Sequence, residues 1–396
     1  MPKHVVYTDR LMRPIANFSH ASRVGDIVHV GATAGVFPNL RLAGDSAGRI
    51  DVVAQTRKMF ENLETALGLI GARLSDVVRL KTYLAFPRDV GKYSEIYAQH
   101  FSSIRPAHIV IGSWDFPLPQ AAIELDAIAV TGGNIRSLEA HGLPSFAGCA
   151  VAGVLADDFH YATALPVDAE GHTAGKTCRE QAVAALRNLG GMLAAAALKP
   201  REVCNIHVTL QDLRDLAEVE SELNNFFGDG LPTWTVVGAP LERPDFLLTI
   251  ESVARKGGGE RIGARPTPLL AGRPAPAILA GDVLFLSGQT GLSDDRCNHL
   301  DVEHQTDTAW GRLRGLIEAA GFADDTIIRT NNVLTDWRDY AGFNAGYGRN
   351  TREPYVPRAT VLGCLSLPRA RVQIEGIAHR QAVDATILQV PPPAAQ

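Results

Sequence analysis

The 396-residue chain lacks the features that mark a secreted, zinc-binding or membrane-spanning protein. Its five cysteines are scattered, odd in number and free of CxxC spacing, so they indicate neither a disulfide framework nor a zinc site. No apolar run reaches the roughly 18 residues that a membrane-spanning helix needs. The first residues contain no apolar segment typical of a secretory signal. These absences predict a cytoplasmic protein with reduced thiols and no membrane partner.

A basic surface is missing too, because 43 acidic residues outnumber 38 lysines and arginines and give a formal net charge of −5. Nucleic-acid binding depends on clustered cations, so we expect no nucleic-acid partner. The chain has no HExxH or SxxK motif, and its glycine-rich segments lack the lysine of a phosphate loop. We therefore expect a small-molecule partner that is anionic or contains nitrogen, and predict neither metal nor organic cofactor.

The chain does contain an internal repeat of about 125 residues. The segments "VVRLKTYL", "VCNIHVTL" and "IIRTNNVL" share one pattern and are spaced by 126 and 124 residues. They begin at Val77, Val203 and Ile327. A helical stretch with one glutamine precedes each segment, at Gln55, Gln181 and Gln305. A second helical stretch follows, and then an apolar strand with an acid in register, at Asp126, Glu251 and Glu375.

Each repeat reads as strands, helix, strand, helix and strands, which predicts an α+β unit with helices on one face of a mixed sheet. The other sheet face must be covered, and three copies can cover one another as an intramolecular pseudo-trimer. We predict repeats over residues 1–132, 133–258 and 259–387, followed by a tail at 388–396. A closed ring of this kind has no need to trimerise, so we expect a monomer or a loose homodimer of pseudo-trimers.

Two motifs carry a resemblance to a known family. "LAGDVLFLSGQTGL" and "PRATVLGCLSLPRARVQIEGIA" in the third repeat resemble the "VGDxVFxSGQ" and "PARSxVxVxxLPxxxxVEIEAIA" signatures of the RidA (YjgF/YER057c/UK114) family. The first repeat is similar through "RVGDIVHVGA" and "IELDAIAV", and the second, most degenerate repeat through "LTIESVA". The resemblance implies three chorismate-mutase-like units, a ligand cleft between neighbouring units, and hydrolysis of imines, enamines or related compounds.

The resemblance also implies site residues. The family's carboxylate-holding arginine falls on Arg358, and its counterparts are His108 in the first repeat and Trp234 in the second. A guanidinium presents a fork of donors that suits a carboxylate. The alternative for Arg358 is a structural salt bridge to a neighbouring repeat. Trp234 indicates a plugged or apolar cleft.

The family's glutamate falls on Glu124, with Thr249 and Gln373 as its counterparts, so no repeat keeps both the arginine and the glutamate. Glu124 is the predicted proton carrier that activates a water, and His108 could share its proton. The alternatives are an exposed strand residue for Glu124 and a packing role for His108.

The "SGQ" turn survives only at residues 287–289, so Ser287 and Gln289 join Arg358 and Gln373 as expected substrate-binding residues. Gln373 cannot act as a base, and the third cleft could therefore bind without turnover. Phe18 maps near the family's tyrosine, and Cys364 is expected in the core.

Three functions remain open from the sequence. The first is a water-using deaminase or hydrolase acting on C=N or C–N bonds, with Glu124 as proton carrier and Arg358 as anion anchor. The second is a non-catalytic protein that binds or senses a keto acid. The third is a scaffold partner of a catabolic enzyme.

Overall fold

Three β-sheets follow one another along the chain in the computed structural model, which describes residues 2–46, 49–101, 105–144, 151–228, 230–263, 274–292 and 301–390. The first repeat contains strands β1 His4–Thr8, β2 Ala21–Val24, β3 Ile27–Ala34, β4 Val77–Leu84, β5 Ala107–Gly112 and β6 Ile123–Val130. Its helices are α1 Val52–Leu69 and α2 Val90–His100.

The other two repeats contain the same elements. The second has strands β7 Ile135–Ser137, β8 Val154–Ala156, β9 Phe159–Ala164, β10 Val203–Leu210, β11 Thr233–Gly238 and β12 Leu248–Arg255, with helices α3 Cys178–Ala195 and α4 Leu216–Phe227. The third has strands β13 Glu260–Ile262, β14 Ala277–Ala280, β15 Val283–Thr290, β16 Ile327–Leu334, β17 Arg358–Leu362 and β18 Val372–His379, with helices α5 Val302–Ala319 and α6 Tyr340–Asn350. A last strand, β19, spans Thr386–Val390.

The three sheets share one topology. In the first, the order is β19-β1-β2-β3-β6-β4-β5, and the six strands after β19 recur in the other two sheets at equivalent positions. Among these six strands the pairings are antiparallel except for the last one, where β4 and β5, like β10 and β11 or β16 and β17, run parallel. The predicted α+β repeats and their mixed sheets are therefore confirmed.

Each long helix forms where the sequence pattern predicts it. In α1, the side chain of Asp51 caps the first turn by accepting from the amide of Ala54 at 3.0 Å. Met59, Phe60 and Leu63 are fully buried against the sheet at helical spacing. The helix ends before Gly71, which has a positive φ of 79° that suits glycine.

The repeated glutamine of this helix has one structural role in all three copies. Gln55 accepts from the amide of Ala122 at 2.7 Å and donates to the carbonyl of Gln120 at 3.1 Å, which fixes the loop that leads into β6. Gln181 and Gln305 make the same pair of bonds to the loops before β12 and β18. The glutamine that marks the repeat in the sequence is thus a loop anchor and not a ligand-binding group.

The repeats close into a ring through the ends of their edge strands. Gly112 donates to the carbonyl of Pro240 at 2.7 Å, which joins the first repeat to the second. Gly238 and Cys364 exchange two backbone hydrogen bonds of 2.9 and 2.8 Å and join the second to the third. The amide of Leu362 donates to Ser113 Oγ at 3.3 Å, which joins the third to the first. The intramolecular pseudo-trimer is therefore confirmed.

A charged cluster fills the axis of this ring and contains the three acids that lie in register. Arg79 of the first repeat donates through Nη2 to Glu251 of the second at 2.7 Å. His207 of the second repeat contacts Glu375 of the third at 2.8 Å, and Arg329 of the third contacts Asp126 of the first at 2.6 Å. Each repeat thus supplies a basic side chain to the acid of the next repeat around the ring.

The C-terminal segment differs from the prediction. β19 pairs in parallel with β1, from His4 opposite Thr386 to Thr8 opposite Val390. The expected tail at 388–396 therefore begins inside a strand that returns to the first repeat. The predicted boundary at 132 falls between β6 and β7, and the one at 258 falls between β12 and β13.

Candidate functional site

Arg358 begins β17 and points towards the helices of its own repeat, in an aromatic setting. Its guanidinium carbon lies 4.5 Å from the ring centre of Tyr347, 5.2 Å from that of Phe343 and 5.8 Å from that of Phe18. Nη2 donates to Asn344 Oδ1 on α6. The residue is 4% exposed, and Nη1 is buried without a hydrogen-bond partner. No acidic partner forms the salt bridge that was the alternative, within the described part of the chain.

The opposite wall of this site belongs to the first repeat. A Cβ added to Gly31 of β3 would lie 3.1–3.2 Å from backbone atoms of Arg358, so the two strands touch at this glycine. Phe18 precedes Ser19, whose amide donates to the carbonyl of Val356 at 3.3 Å. The cleft that contains Arg358 therefore lies between the third and first repeats.

Glu124 flanks the same stretch of β3. It pairs with Ala34, and β3 has one extra residue between Val30 and Thr33, which forms a β-bulge. In the third repeat, the counterpart of Glu124 is Gln373, whose side chain lies within 3.1 Å of a Cβ added to Gly288 in the equivalent bulge. By this equivalence, Glu124 and Arg358 lie on two sides of one bulge. Arg358 of the third repeat and Glu124 of the first repeat therefore border the same junction between repeats.

The carboxyl of Glu124 is in an apolar setting. The residue is 7% exposed, and burial raises its pKa from the ordinary value of 4.5 to about 8. A carboxyl with such a pKa is mostly protonated at neutral pH and can both donate and accept a proton in that range. This property suits a proton carrier, and it contradicts the alternative of an exposed strand residue.

The raised pKa makes a prediction about stability. The unfolded chain loses the Glu124 proton near pH 4.5, whereas the folded chain keeps it to about pH 8. The contribution of this group to folding is therefore fully present below pH 4.5 and is lost as pH rises to about 8. We expect unfolding titrations to show that wild type loses up to about 1.4 kcal/mol per pH unit relative to Glu124→Gln in this window. Parallel curves for the two proteins would contradict the buried position of the carboxyl.

His108 does not form the predicted pair with Glu124. It pairs with Leu80 on β4 whereas Glu124 pairs with Tyr83, and an odd separation along a strand places the two side chains on opposite faces of the sheet. His108 faces α2, where Nε2 bonds to the hydroxyl of Tyr93 at 2.9 Å. Burial lowers its pKa to about 3, so it is a neutral packing residue at physiological pH. The prediction of a shared proton was wrong.

Trp234 occupies the arginine position at the junction of the second and third repeats. It is 3% exposed and packs in the core of the second repeat with Val219, Leu223 and other apolar side chains. Its amide donates to Ser287 Oγ at 3.0 Å, and Ser287 in turn donates to the carbonyl of Ala275 at 2.7 Å. This junction therefore has an apolar side chain in place of a cation, and a plugged cleft there stays a prediction.

The other predicted binding residues belong to the bulged strand pair of the third repeat. Gln289 donates to the carbonyl of Ser287 at 2.8 Å, and Gln373 faces the bulge that contains Gly288. Ser287 accepts from the amide of Trp234, so this bulge borders the junction between the second and third repeats. A role of Ser287, Gln289 and Gln373 in binding a substrate stays a prediction.

The remaining junction, between the first and second repeats, lacks the β-bulge found at the other two. β9 pairs with β12 in continuous register, so the second repeat lacks the bulge of β3 and β15. The arginine position on the other wall is His108, and the glutamate position is Thr249, whose hydroxyl is buried without a partner. Only the cleft between the third and first repeats combines a bulge, an arginine and a glutamate.

Comparison with known proteins places the chain in a family. A sequence model described as endoribonuclease L-PSP matches it three times, over residues 8–131, 150–256 and 267–380. The chain belongs to the RidA family. A RutC family protein from Pyrococcus abyssi is 31% identical to it over 132 residues, which are 33% of this chain and 98% of that protein.

The chain is also similar to a curated deaminase and to a solved structure of the same family. A 2-iminobutanoate/2-iminopropanoate deaminase from Dermatophagoides farinae is 28% identical over 129 residues, which are 33% of this chain and 97% of that protein. A crystal structure of a YjgF/YER057c/UK114 family member from Mycobacterium tuberculosis is 32% identical, with a TM-score of 0.25, and covers 29% of this chain and 86% of that one. The Pyrococcus and Dermatophagoides proteins each match about a third of this chain, which is the length of one repeat.

Sequence reasoning missed two residues that contact Arg358 and misplaced one cysteine. Asn344 and Tyr347 of α6 contact Arg358, and their spacing of three residues on a helix that precedes the arginine strand was the available signal. Cys364 was expected in the core but is exposed at the junction with the second repeat. It follows the buried strand β17 and is held by its backbone pairing with Gly238.

Over the ranges that the structure describes, no group of three His, Cys, Asp or Glu side chains is placed to hold a metal ion. In the same ranges, no helix is long and apolar enough to cross a membrane.

The difference between the three junctions predicts the binding stoichiometry. A small 2-keto acid should bind at one site per chain, because Arg358 is the only anion anchor at the three equivalent positions. Isothermal titration would measure this number, and Trp234→Phe should leave both the number and the affinity unchanged. Two or three equivalents per chain would show that the other junctions also open.

Proposed function

We propose that the chain is a hydrolytic deaminase of small imines or enamines that carry a carboxylate, working in the cleft between the third and first repeats. The observation that carries this proposal is the buried guanidinium of Arg358, which has a nitrogen without a partner, on a strand whose backbone touches β3, the neighbour of the strand that contains Glu124. The name of the Dermatophagoides relative, an iminobutanoate and iminopropanoate deaminase, supports the substrate class.

In this proposal, Arg358 receives the substrate carboxylate. Nη1 lacks an acceptor, and a buried unpaired N–H of a charged group costs about 1–3 kcal/mol or more, so an anion there removes a penalty. The rings of Tyr347 and Phe343 and the amide of Asn344 fix the guanidinium plane. Because Arg358 is 4% exposed, the carboxylate enters only when Phe18 moves aside.

Glu124 then carries the proton through the reaction. Its carboxyl gives a proton to the imine nitrogen, which makes the carbon more electrophilic, and a water adds to that carbon while Glu124 takes the water's proton. The carbinolamine so formed receives the proton on nitrogen, the C–N bond breaks as the hydroxyl loses its proton, and a 2-keto acid and ammonia leave. The raised pKa of about 8 suits both directions of transfer near neutral pH.

Arg358→Met tests the anchor. Losing a charge-assisted contact should raise KM by about 10–100-fold and leave kcat nearly unchanged, if the arginine holds the carboxylate equally in the ground and transition states. The assay measures hydrolysis of 2-iminopropanoate generated in the cuvette, with Arg338→Met as the control. Arg338 lies in the same repeat but is exposed and paired with Asp336.

The KM of Arg358→Met and the turnover of wild type distinguish a deaminase from a non-catalytic keto-acid-binding protein. An unchanged KM in Arg358→Met would remove the anchor role. If wild type binds 2-keto acids through Arg358 but hydrolyses no imine, the chain is a keto-acid-binding protein and Glu124 is not a proton carrier.

A further inference from the structure

The third and first repeats meet at the one junction of the ring that no linker peptide spans. Residues 131–134 connect β6 to β7, and residues 256–259 connect β12 to β13, so each of the other two junctions has a short covalent connection. After the third repeat, residues 380–385 lead instead into β19, which pairs with β1 of the first repeat. The amide of Thr386 donates to the carbonyl of Lys3 at 2.7 Å where this pairing begins. The pairing of β19 therefore takes the place of a third linker.

The two faces of β1 contact different repeats. Val6 packs in the core of the first repeat, and Leu388, its partner on β19, packs against the same core. Lys3 and Tyr7 are four residues apart, so their side chains share the opposite face of the strand. Lys3 is 4% exposed, and its Nζ donates to the carbonyl of Ile327 at 3.0 Å, where β16 of the third repeat begins. β1 is thus held by β19 at its edge and by the third repeat on one face.

The position of β1 is linked to the cover over Arg358. The hydroxyl of Tyr7 accepts from the amide of Tyr355 at 2.7 Å, three residues before Arg358. The segment that follows β1 carries Phe18, whose ring centre lies 5.8 Å from the guanidinium carbon of Arg358. With Phe18 in this position, Arg358 is 4% exposed. A displacement of β1 would therefore loosen both the loop that leads to Arg358 and the ring that covers it.

The junction has other contacts that involve neither β1 nor β19. At the axis, Arg329 contacts Asp126 at 2.6 Å, and at the strand ends the amide of Leu362 donates to Ser113 Oγ at 3.3 Å. β19, by contrast, is the outermost strand of its sheet, and strands at an edge open locally at a lower cost than strands inside a sheet. Release of β19 therefore leaves the ring closed at its centre.

We propose that β19 is a clasp, which fixes β1 against the third repeat and keeps Phe18 over Arg358. When β19 is released, β1 and the segment that follows it move outward, and the guanidinium becomes accessible to a small carboxylate. The clasp acts at the junction that contains the arginine, so it controls access to this anion anchor without opening the other two junctions. It is independent of the deaminase proposal, because it concerns access to Arg358 and not the reaction there.

Labelling of arginines with phenylglyoxal, followed by peptide mass spectrometry, tests the clasp. Thr386→Pro removes the amide that donates to Lys3, whereas Thr386→Ala keeps it and changes only an exposed side chain. We expect Arg358 to react about tenfold faster in Thr386→Pro than in wild type, and at the wild-type rate in Thr386→Ala. Arg338, whose side chain is 89% exposed, should react equally in all three proteins.

Tyr7→Phe provides a second variant that keeps the aromatic ring and removes only the hydroxyl. We expect Arg358 to react about threefold faster in this protein, because the amide of Tyr355 loses its acceptor. Hydrogen exchange of the β1 amides should also be faster in Thr386→Pro than in wild type. Labelling of Arg358 at the wild-type rate in Tyr7→Phe would overturn the proposal. Unchanged β1 exchange in a folded Thr386→Pro protein, or faster exchange without faster labelling of Arg358, would overturn it as well.

Discussion

Replacing Glu124 by glutamine should lower turnover of an imino acid by about 10²–10⁴-fold, because the amide keeps the shape of the side chain but cannot transfer a proton. The affinity for a 2-keto acid should change little, since Arg358 remains in place. The measurement is kcat for 2-iminopropanoate in a variant whose fold is verified by its melting temperature. This split between turnover and binding distinguishes a proton carrier from a residue that only shapes the cleft.

The pH profile adds a second readout. If the carboxyl must be protonated to activate the imine, kcat/KM of wild type should fall as pH rises through about 8, the raised pKa of Glu124. The residual activity of Glu124→Gln should lack this limb. A profile with the same limb in both proteins would assign the titration to another group or to the substrate.

Glu220→Gln is the matched control. Glu220 sits on α4, burial raises its pKa as it does for Glu124, and one carboxyl oxygen has no partner. It belongs to the second repeat, whose arginine position is Trp234. Its replacement should leave turnover unchanged. A folded Glu124→Gln protein with wild-type turnover, or a Glu220→Gln protein without activity, would move the active site to another junction.

The repeats could be predicted from the sequence because similar segments recur at a constant spacing, and recognising that spacing requires no knowledge of the three-dimensional structure. The helix stop at Gly71 and the strand "VVRLKTYL" follow from local periodicity. The ring followed from the need to cover each sheet's second face. The pairing of β19 with β1 could not be predicted from the sequence, because a short strand near one end of the chain forms only by pairing with residues 382 positions away.

The residues of the candidate site were predicted from the sequence, but their relative placement was not. Arg358 and Glu124 lie in different repeats, and only the three-dimensional order of the repeats shows that both border one junction. His108 failed as a partner because a motif match gives its strand but not the face of the sheet that it occupies. The absence of the bulge from β9 could not be predicted either, because it depends on the register with β12.

The asymmetry of the junctions has a physical consequence for a single-chain ring. In a homotrimer, a substitution in the gene alters all three subunits. In this single chain, the positions equivalent to Arg358 can change separately, and two of them can serve packing. Trp234 and His108 are both buried and both contribute to cores. The same freedom applies at the axis, where Asn205 replaces the arginine of the other repeats and His207 replaces Lys81.

The axial network leads to the second large prediction, which concerns stability. Arg79 bonds both to Asp126 of its own repeat and to Glu251 of the next. Both carboxylates are buried; burial would raise their pKa values, but the neighbouring cations hold them below the ordinary range. Arg79→Met should therefore lower the free energy of unfolding by about 3–5 kcal/mol at pH 7, because it leaves buried charge uncompensated.

The loss in Arg79→Met should shrink as pH falls. Depressed carboxyl pKa values stabilise the folded wild type above the ordinary carboxyl range, and this stabilisation is lost as pH falls through the folded values. The comparison is made by denaturant unfolding at pH 7 and pH 4, with Arg214→Met, an exposed arginine paired with Asp212, as a control that should match wild type. The losses of Arg79→Met and Glu251→Gln should not simply add in the double variant, because the two side chains share one contact and Glu251 also bonds to Lys81. An Arg79→Met protein as stable as wild type, or a double variant whose losses simply add, would show that the ring is held by its apolar contacts and not by its axial ion pairs.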